Sequence, residues 1–152
     1  MSAVVPPARA AGMREYLRQF AARFGIADME APAHVPNTRR ALAIAEYARE
    51  QGRVDAFRHA AMDAHWRRGE NLEDPADLRE VATRAGLGPG AAVRAMDDPA
   101  YQARVDAARA EAGRMGVTGI PTFFVGEEVV VGCQPFEVLA AAARWAGAQQ
   151  KR

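Results

Sequence analysis

The chain has 152 residues, the size of one ordinary domain, and balances 20 basic against 19 acidic side chains for a formal net charge of +1. That balance excludes an electrostatic case for nucleic-acid or polybasic membrane binding. A single cysteine, Cys133, excludes an intramolecular disulfide, a dithiol redox centre and a cysteine-rich zinc site within these residues. Alanine accounts for 35 positions, so much of the apolar content is small and helix-favouring, and 19 of the 20 basic residues are arginine. No stretch approaches the roughly 20 apolar residues of a membrane span. The opening residues, with Pro6-Pro7 and an early Arg9, lack the charged n-region and continuous apolar core of a secretory signal. The expectation is a soluble, cytoplasmic protein.

In chain order, residues 1–12 read as a flexible arm. Tyr16, Leu17, Phe20 and Phe24 then share one helical face from Met13 to Phe24, with Gly25 as its stop. Pro32 and Pro36 mark a loop, after which Asn37 or Thr38 caps a helix to Glu50 that Gly52 closes. The next helix, Val54 to Arg68, sets Phe57, Ala61, Ala64 and His65 on one side. Asp74-Pro75 opens another: an acceptor cap followed by the imino acid whose missing N–H costs nothing in the first turn. That helix runs to Ala85 with Gly86 as its left-handed stop, and a short one follows from Pro89 to Met96. Asp98-Pro99 repeats the signal and opens the longest helix, to Met115, with Tyr101, Val105, Ala108, Ala112 and Met115 expected as a single buried stripe.

The pattern then changes. Pro121 to Val125 and Val129-Val130-Val131 are β-prone runs separated by a turn at Gly126-Glu127-Glu128, and Pro135 opens a last helix with Phe136, Leu139, Ala143 and Ala146 or Trp145 facing inward. A lone two-stranded hairpin is marginal in water, and each open edge leaves unpaired N–H and C=O groups. A homo-oligomer formed through the exposed strand edge is therefore expected.

The segment Gly116-Val117-Thr118-Gly119-Ile120-Pro121-Thr122-Phe123-Phe124-Val125, with Val131-Gly132-Cys133-Gln134-Pro135 after it, resembles the end of a DsbA-like thioredoxin-fold domain. The block Asn37-Thr38, Ala45-Glu46-Tyr47-Ala48 and Gly52 resembles the family's cytoplasmic branch, which includes 2-hydroxychromene-2-carboxylate isomerases and kappa-class glutathione transferases. Asn71 to Pro75 and Ala85-Gly86-Leu87 extend the likeness, which covers about residues 13–147. The resemblance implies a mainly α (α+β) fold: an inserted helical subdomain over 13–116, a partial thioredoxin-like hairpin and helix over 117–148, and a tail at 149–152. Such a domain opens with a strand, a helix carrying Cys-x-x-Cys (Ser in glutathione-using relatives) and another strand. The 12 residues before Met13 are too few for that unit, which takes roughly 30 or more. The expectation is a truncated DsbA-family protein, redox-inactive as it stands. The alternative is a glutathione-dependent isomerase- or transferase-like protein, or a thiol-independent binding protein that uses the Pro121 loop.

Ile120 and Pro121 are the substrate-binding candidates. The resemblance implies a cis Pro121 whose preceding residue presents its backbone to a peptide or small molecule; the plain reading is that Pro121 starts a strand. Asn37 matches a position near the pocket in the isomerase branch, and read by itself is a helix cap. Cys133 could lie close to a helix N-terminus, which lowers a thiol pKa, but exchange needs a second thiol to resolve the mixed disulfide, so a small buried residue is expected. No cofactor is read from the residues. Glutathione is the candidate the resemblance supplies, and Gln134 offers no carboxylate where the kappa-class relatives hold its amino group. His34, His59 and His65 lack metal-ligand spacing, and His59 is expected in an exposed pair with Asp55 or Asp63. Met62 with Trp66, and Trp145 with Phe136 or Leu139, read as core. Glu73-Asp74 and Asp97-Asp98 read as helix-start chemistry rather than paired catalytic carboxylates.

Overall fold

The structure, a computed structural model, describes residues 7–30 and 35–149. The elements are α1 (Pro7–Ala22), α2 (Arg39–Glu50), α3 (Val54–Arg67), α4 (Pro75–Arg84), α5 (Pro89–Met96), α6 (Pro99–Arg114), β1 (Thr122–Val125), β2 (Glu128–Val131) and α7 (Phe136–Trp145). This is the mainly helical composition with a small antiparallel hairpin that the residue pattern indicates. The chain divides into two compact units, Met1–Ala107 and Ala108–Arg152, so the division falls inside α6 rather than after residue 116 as expected. α1 begins at Pro7, so residues 7–12 of the expected arm are helical. A proline in the first turn forfeits no helical hydrogen bond, and Gly12 is a small cost in an alanine-rich helix. Residues 1–6 of the expected arm and 150–152 of the expected tail lie outside the described residues.

The core of the first unit is built by α2 to α5, where Ile44, Phe57, Leu78, Val81 and Met96 are the largest fully buried side chains. Alanines at 41, 48, 61, 64, 82 and 92 fill the remaining contacts and let the helices approach closely. The punctuation of α4 shows how local chemistry sets these elements. Asp74 Oδ1 accepts the Ala76 N–H at 2.7 Å, Pro75 occupies the first turn, and the helix ends where Leu87 N donates to Ala82 O and Gly86 N to Thr83 O, both at 3.0 Å. That pair of bonds is a Schellman stop; it needs the left-handed φ of +72° that Gly86 supplies, and it turns Leu87 into the core.

α6 departs from expectation. None of its residues is buried, so the predicted stripe does not form: Tyr101, Val105 and Ala112 are half-buried, and Ala108 and Met115 are exposed. Its first half is tied to α2 by polar contacts instead. Tyr101 donates its hydroxyl to Glu50 Oε2 at 2.6 Å, Arg104 pairs with Glu50 Oε1 at 2.6 Å, and Arg39 makes a two-pronged pair with Asp106, one prong at 2.7 Å. Tyr47 meets Tyr101 edge-on at 6.0 Å, and Arg104 lies over the Tyr101 ring at 5.3 Å. Along α1 and the turn that follows it, Tyr16, Phe20 and Phe24 form an aromatic ladder at the expected spacing, but Tyr16 and Phe24 remain exposed. Met62 is exposed as well; Trp66 instead meets His65 edge-on at 4.6 Å, and its carbonyl accepts the Glu30 N–H.

In the second unit, β1 and β2 pair antiparallel with Thr122 opposite Val131, Phe123 opposite Val130, Phe124 opposite Val129 and Val125 opposite Glu128. Gly126 turns the hairpin at φ +63°, and a Cβ there would stand 3.1 Å from the Ala146 Cβ at the end of α7, so both conformation and space demand glycine. Among the described residues of this unit, Ala142 alone is buried. Trp145 (87% exposed) and Phe136 (78%) face solvent rather than each other, correcting the expected inward face, while Leu139 and Ala143 are half-buried. Two short strands and a ten-residue helix enclose too little volume to cover so many large side chains.

Leu78→Ala should lower the unfolding free energy by about 2–5 kcal/mol, read from the urea midpoint, because it empties a fully buried site. The Glu50 carboxyl is held below its ordinary value of 4.5 by hydrogen bonds from Tyr101 and Arg104. A depressed carboxyl stabilises the fold fully above that ordinary value and ceases to do so as the pH falls through the lowered one. Urea midpoints between about pH 6 and about pH 3 should therefore fall less steeply in Glu50→Gln than in the parent chain.

Candidate functional site

The first unit carries an open cleft of about 430 Å³ lined by Asn37, Arg39, Arg40, Glu73, Asp97 and Gln102. Its walls follow from the way the helices begin. In both acid-acid-proline segments the second acid caps its helix: Asp74 as described, and Asp98 by accepting the Ala100 N–H at 2.8 Å. The first acid of each reaches toward the start of α2. Glu73 Oε2 accepts the Asn37 N–H at 3.1 Å, and Asp97 holds Arg40 through Nε at 2.9 Å and Nη2 at 3.3 Å. Reading both acids of each pair as helix-start chemistry is thus right for Asp74 and Asp98 and is corrected for Glu73 and Asp97. The sequence offered no signal for this, since their partners lie 36 and 57 positions away.

Asn37 caps. Its Oδ1 accepts the Arg39 N–H at 3.0 Å, whereas Thr38 makes no side-chain capping bond. The loop before α4 is knit to the same place: Asp77 Oδ2 accepts the Asn71 N–H at 2.7 Å, and Asn71 Oδ1 accepts the Glu73 N–H at 3.0 Å. The Arg39 guanidinium is held above its ordinary value by its hydrogen bonds to Asp106. Gln102 donates to the Met96 carbonyl, and its Oε1 is buried with no hydrogen-bond partner among the described residues. The cleft's guanidiniums are engaged by carboxylates of the protein itself, which suits anchoring of α2, α5 and α6 better than capture of a charged ligand.

Ile120 and Pro121 belong to the second unit, at the entry to β1. The Ile120–Pro121 peptide bond is cis, and Ile120 is 91% exposed. The Gly132 N–H donates to the Pro121 carbonyl at 2.7 Å, which continues the hairpin register one step past Thr122 and Val131. Cys133 follows directly and is an exposed free thiol, which corrects the expectation of a small buried residue. The physical reason is the thinness of this unit, with no layer to bury the turn before α7. Gln134 turns back on the strand, its Nε2 donating to the Val131 carbonyl at 2.8 Å.

His34 lies outside the described residues. The His59 Nδ1–H donates to the backbone carbonyl of Asp55 at 2.7 Å, while the Asp55 carboxylate pairs with Arg58, so the expected His59–carboxylate pair does not form. Among the described residues no group of His, Cys, Asp and Glu is placed to hold a metal ion, and no helix is long and apolar enough to cross a membrane.

Comparison with known proteins places these features in context. The profile of the DSBA-like thioredoxin domain matches residues 1–144. A 2-hydroxychromene-2-carboxylate isomerase from Sphingobium xenophagum is 35% identical over 86 residues, which is 57% of this chain and 44% of the isomerase. The alignment thus spans less than half the length of that curated relative.

Asn37→Ala should cost about 1 kcal/mol of unfolding free energy by chemical denaturation, the usual loss of a capping acceptor. A stability unchanged within about 0.3 kcal/mol would remove Asn37 from the capping role.

Proposed function

The chain belongs to the DSBA-like thioredoxin domain family, and from that premise we propose that these 152 residues act as a member that does not turn over disulfides. One observation carries the reading: the sole sulfur nucleophile is Cys133, on an exposed turn. In thiol–disulfide exchange a thiolate attacks a disulfide sulfur and forms a mixed disulfide, and a second thiolate must attack that bond to release the product. One thiol can complete the first step and has no partner within the chain for the second. What remains is a thiol-independent role in which the Ile120–Pro121 loop contacts a peptide or small molecule, in a cytoplasmic setting. The exposure of Ile120 supports that placement.

A second reading, an isomerase- or transferase-type protein that binds glutathione, is favoured by the likeness to the 2-hydroxychromene-2-carboxylate isomerase. Its weak point is the lack of a carboxylate at Gln134 for the glutathione amino group.

Reduction of insulin by dithiothreitol, followed by turbidity, tests the first reading. The chain and its Cys133→Ala variant should give the same rate as buffer. Turnover that Cys133→Ala abolishes would overturn the proposal. Calorimetric titration with glutathione separates the second reading, which requires binding heat that Ile120→Asp removes.

A further inference from the structure

The turn that leads into β1 is closed by a side chain. A four-residue turn is ordinarily tied by the N–H of its fourth residue donating to the carbonyl of its first. From Gly119 to Thr122 that backbone bond is absent among the described residues. The Thr122 hydroxyl takes its place, donating to the Gly119 carbonyl at 2.6 Å. Thr122 is half-buried, so the bond is partly sheltered from competing water.

The other strand carries a matching clasp. Gln134 Nε2 donates to the Val131 carbonyl at 2.8 Å, again across three positions. Between the two clasps the Gly132 N–H holds the Pro121 carbonyl at 2.7 Å. Gly119 lies against Val131, where a Cβ added to the glycine would stand 3.6 Å from Val131 Cγ1. Ile120 is thus bracketed, held through Gly119 on one side and through Pro121 on the other. Its own side chain is 91% exposed and does little to fix it. The Thr122 hydroxyl supplies the hydrogen bond on the Gly119 side of this bracket.

We infer that Thr122 is a positioning residue: through the Gly119 carbonyl, its hydroxyl fixes the loop at Ile120 in the conformation that meets a ligand. The inference rests on the reading that this loop makes the contact. The bond joins residues three apart, so it is set by the local chain rather than by what packs over the hairpin. Its value to binding lies in order. A loop held before the ligand arrives has less conformational freedom to lose on association, and one ordered only at that moment binds more weakly. Threonine meets two demands at this position. Its β-branch suits the extended first residue of β1, and its hydroxyl supplies the donor. Valine keeps the branch without the donor, and serine keeps the donor without the branch, so the two substitutions separate these demands.

The test is 15N relaxation on the full chain, with Thr122→Val and Thr122→Ser beside the parent. All three are also titrated calorimetrically with two probes that share peptide groups, glutathione and the carboxymethylated insulin B chain. In Thr122→Val the order parameters of the Gly119 and Ile120 amides should fall from the rigid range, about 0.85, toward the flexible range below about 0.6. Affinity for the probe that the parent binds should fall roughly fivefold, the worth of one net hydrogen bond. Thr122→Ser should restore both. Phe123 and Val130, the bonded pair two positions along from Pro121 and Gly132, report whether the hairpin is intact. Their amides should exchange in both variants as they do in the parent. Equal order at Gly119 and Ile120 in Thr122→Val, equal affinity, or a loss that Thr122→Ser does not restore would each overturn the inference and leave the loop contact standing. Faster exchange at Phe123 and Val130 in Thr122→Val would also overturn it, because the hydroxyl would then support the hairpin as a whole. A parent that binds neither probe would overturn the loop contact itself, and with it the role of Thr122 in binding.

Discussion

Burial of Phe57, Ile44, Leu78, Val81 and Met96 among α2, α3, α4 and α5 is the interaction from which the rest of the first unit hangs. These are the places where large side chains leave water completely, and the alanines around them reduce the helix spacing without adding volume of their own. Once α2 is fixed by Ile44 and its alanines, Arg39 and Arg40 at its start and Glu50 at its end acquire definite positions. Only then can they meet Asp106, Asp97 and the Tyr101–Arg104 pair. The polar contacts follow from the apolar core rather than replacing it, because exposed ion pairs are screened by solvent and salt.

The prevalence of arginine acquires a structural meaning in this setting. Arg39 on Asp106 and Arg40 on Asp97 both use the planar two-donor geometry that lysine lacks. The consequence for function is that the guanidiniums lining the first unit's cleft are already engaged by the protein's own carboxylates. Its chemistry is that of a joint between helices. Ile120 and Cys133, both exposed, lie in the second unit.

That unit has the opposite problem. Among its described residues one alanine is buried, the turn depends on a glycine, and large apolar side chains at Ile120, Phe136 and Trp145 face water. Small assemblies of secondary structure bury too low a fraction of their surface to be stable without help. Membership in the DSBA-like thioredoxin family explains the hairpin followed by a helix.

Local chemistry was readable in the sequence by itself. Asp74-Pro75, Asp98-Pro99, Gly86 and the β-branched run before Gly132 determine their own backbone conformations within four or five residues, and each element appears where those signals place it. The aromatic spacing of α1, the core positions Phe57, Ala61 and Ala64 and the likeness of the Gly119-Ile120-Pro121 block to its family were legible for the same reason. What the sequence could not determine was which amphipathic faces find a partner. The α6 stripe, Met62, Trp145 and Cys133 all carry residues suited to burial, and all lie at the surface or only half covered. The second acids of the two acid-acid-proline segments were read correctly because a cap is local. The first acids were misread because their partners, Asn37 and Arg40, are brought to them only by the packing of α2 and α4 against α5. Periodicity records that a side chain is apolar; whether a neighbour arrives to exclude water from it is a property of the assembled tertiary structure.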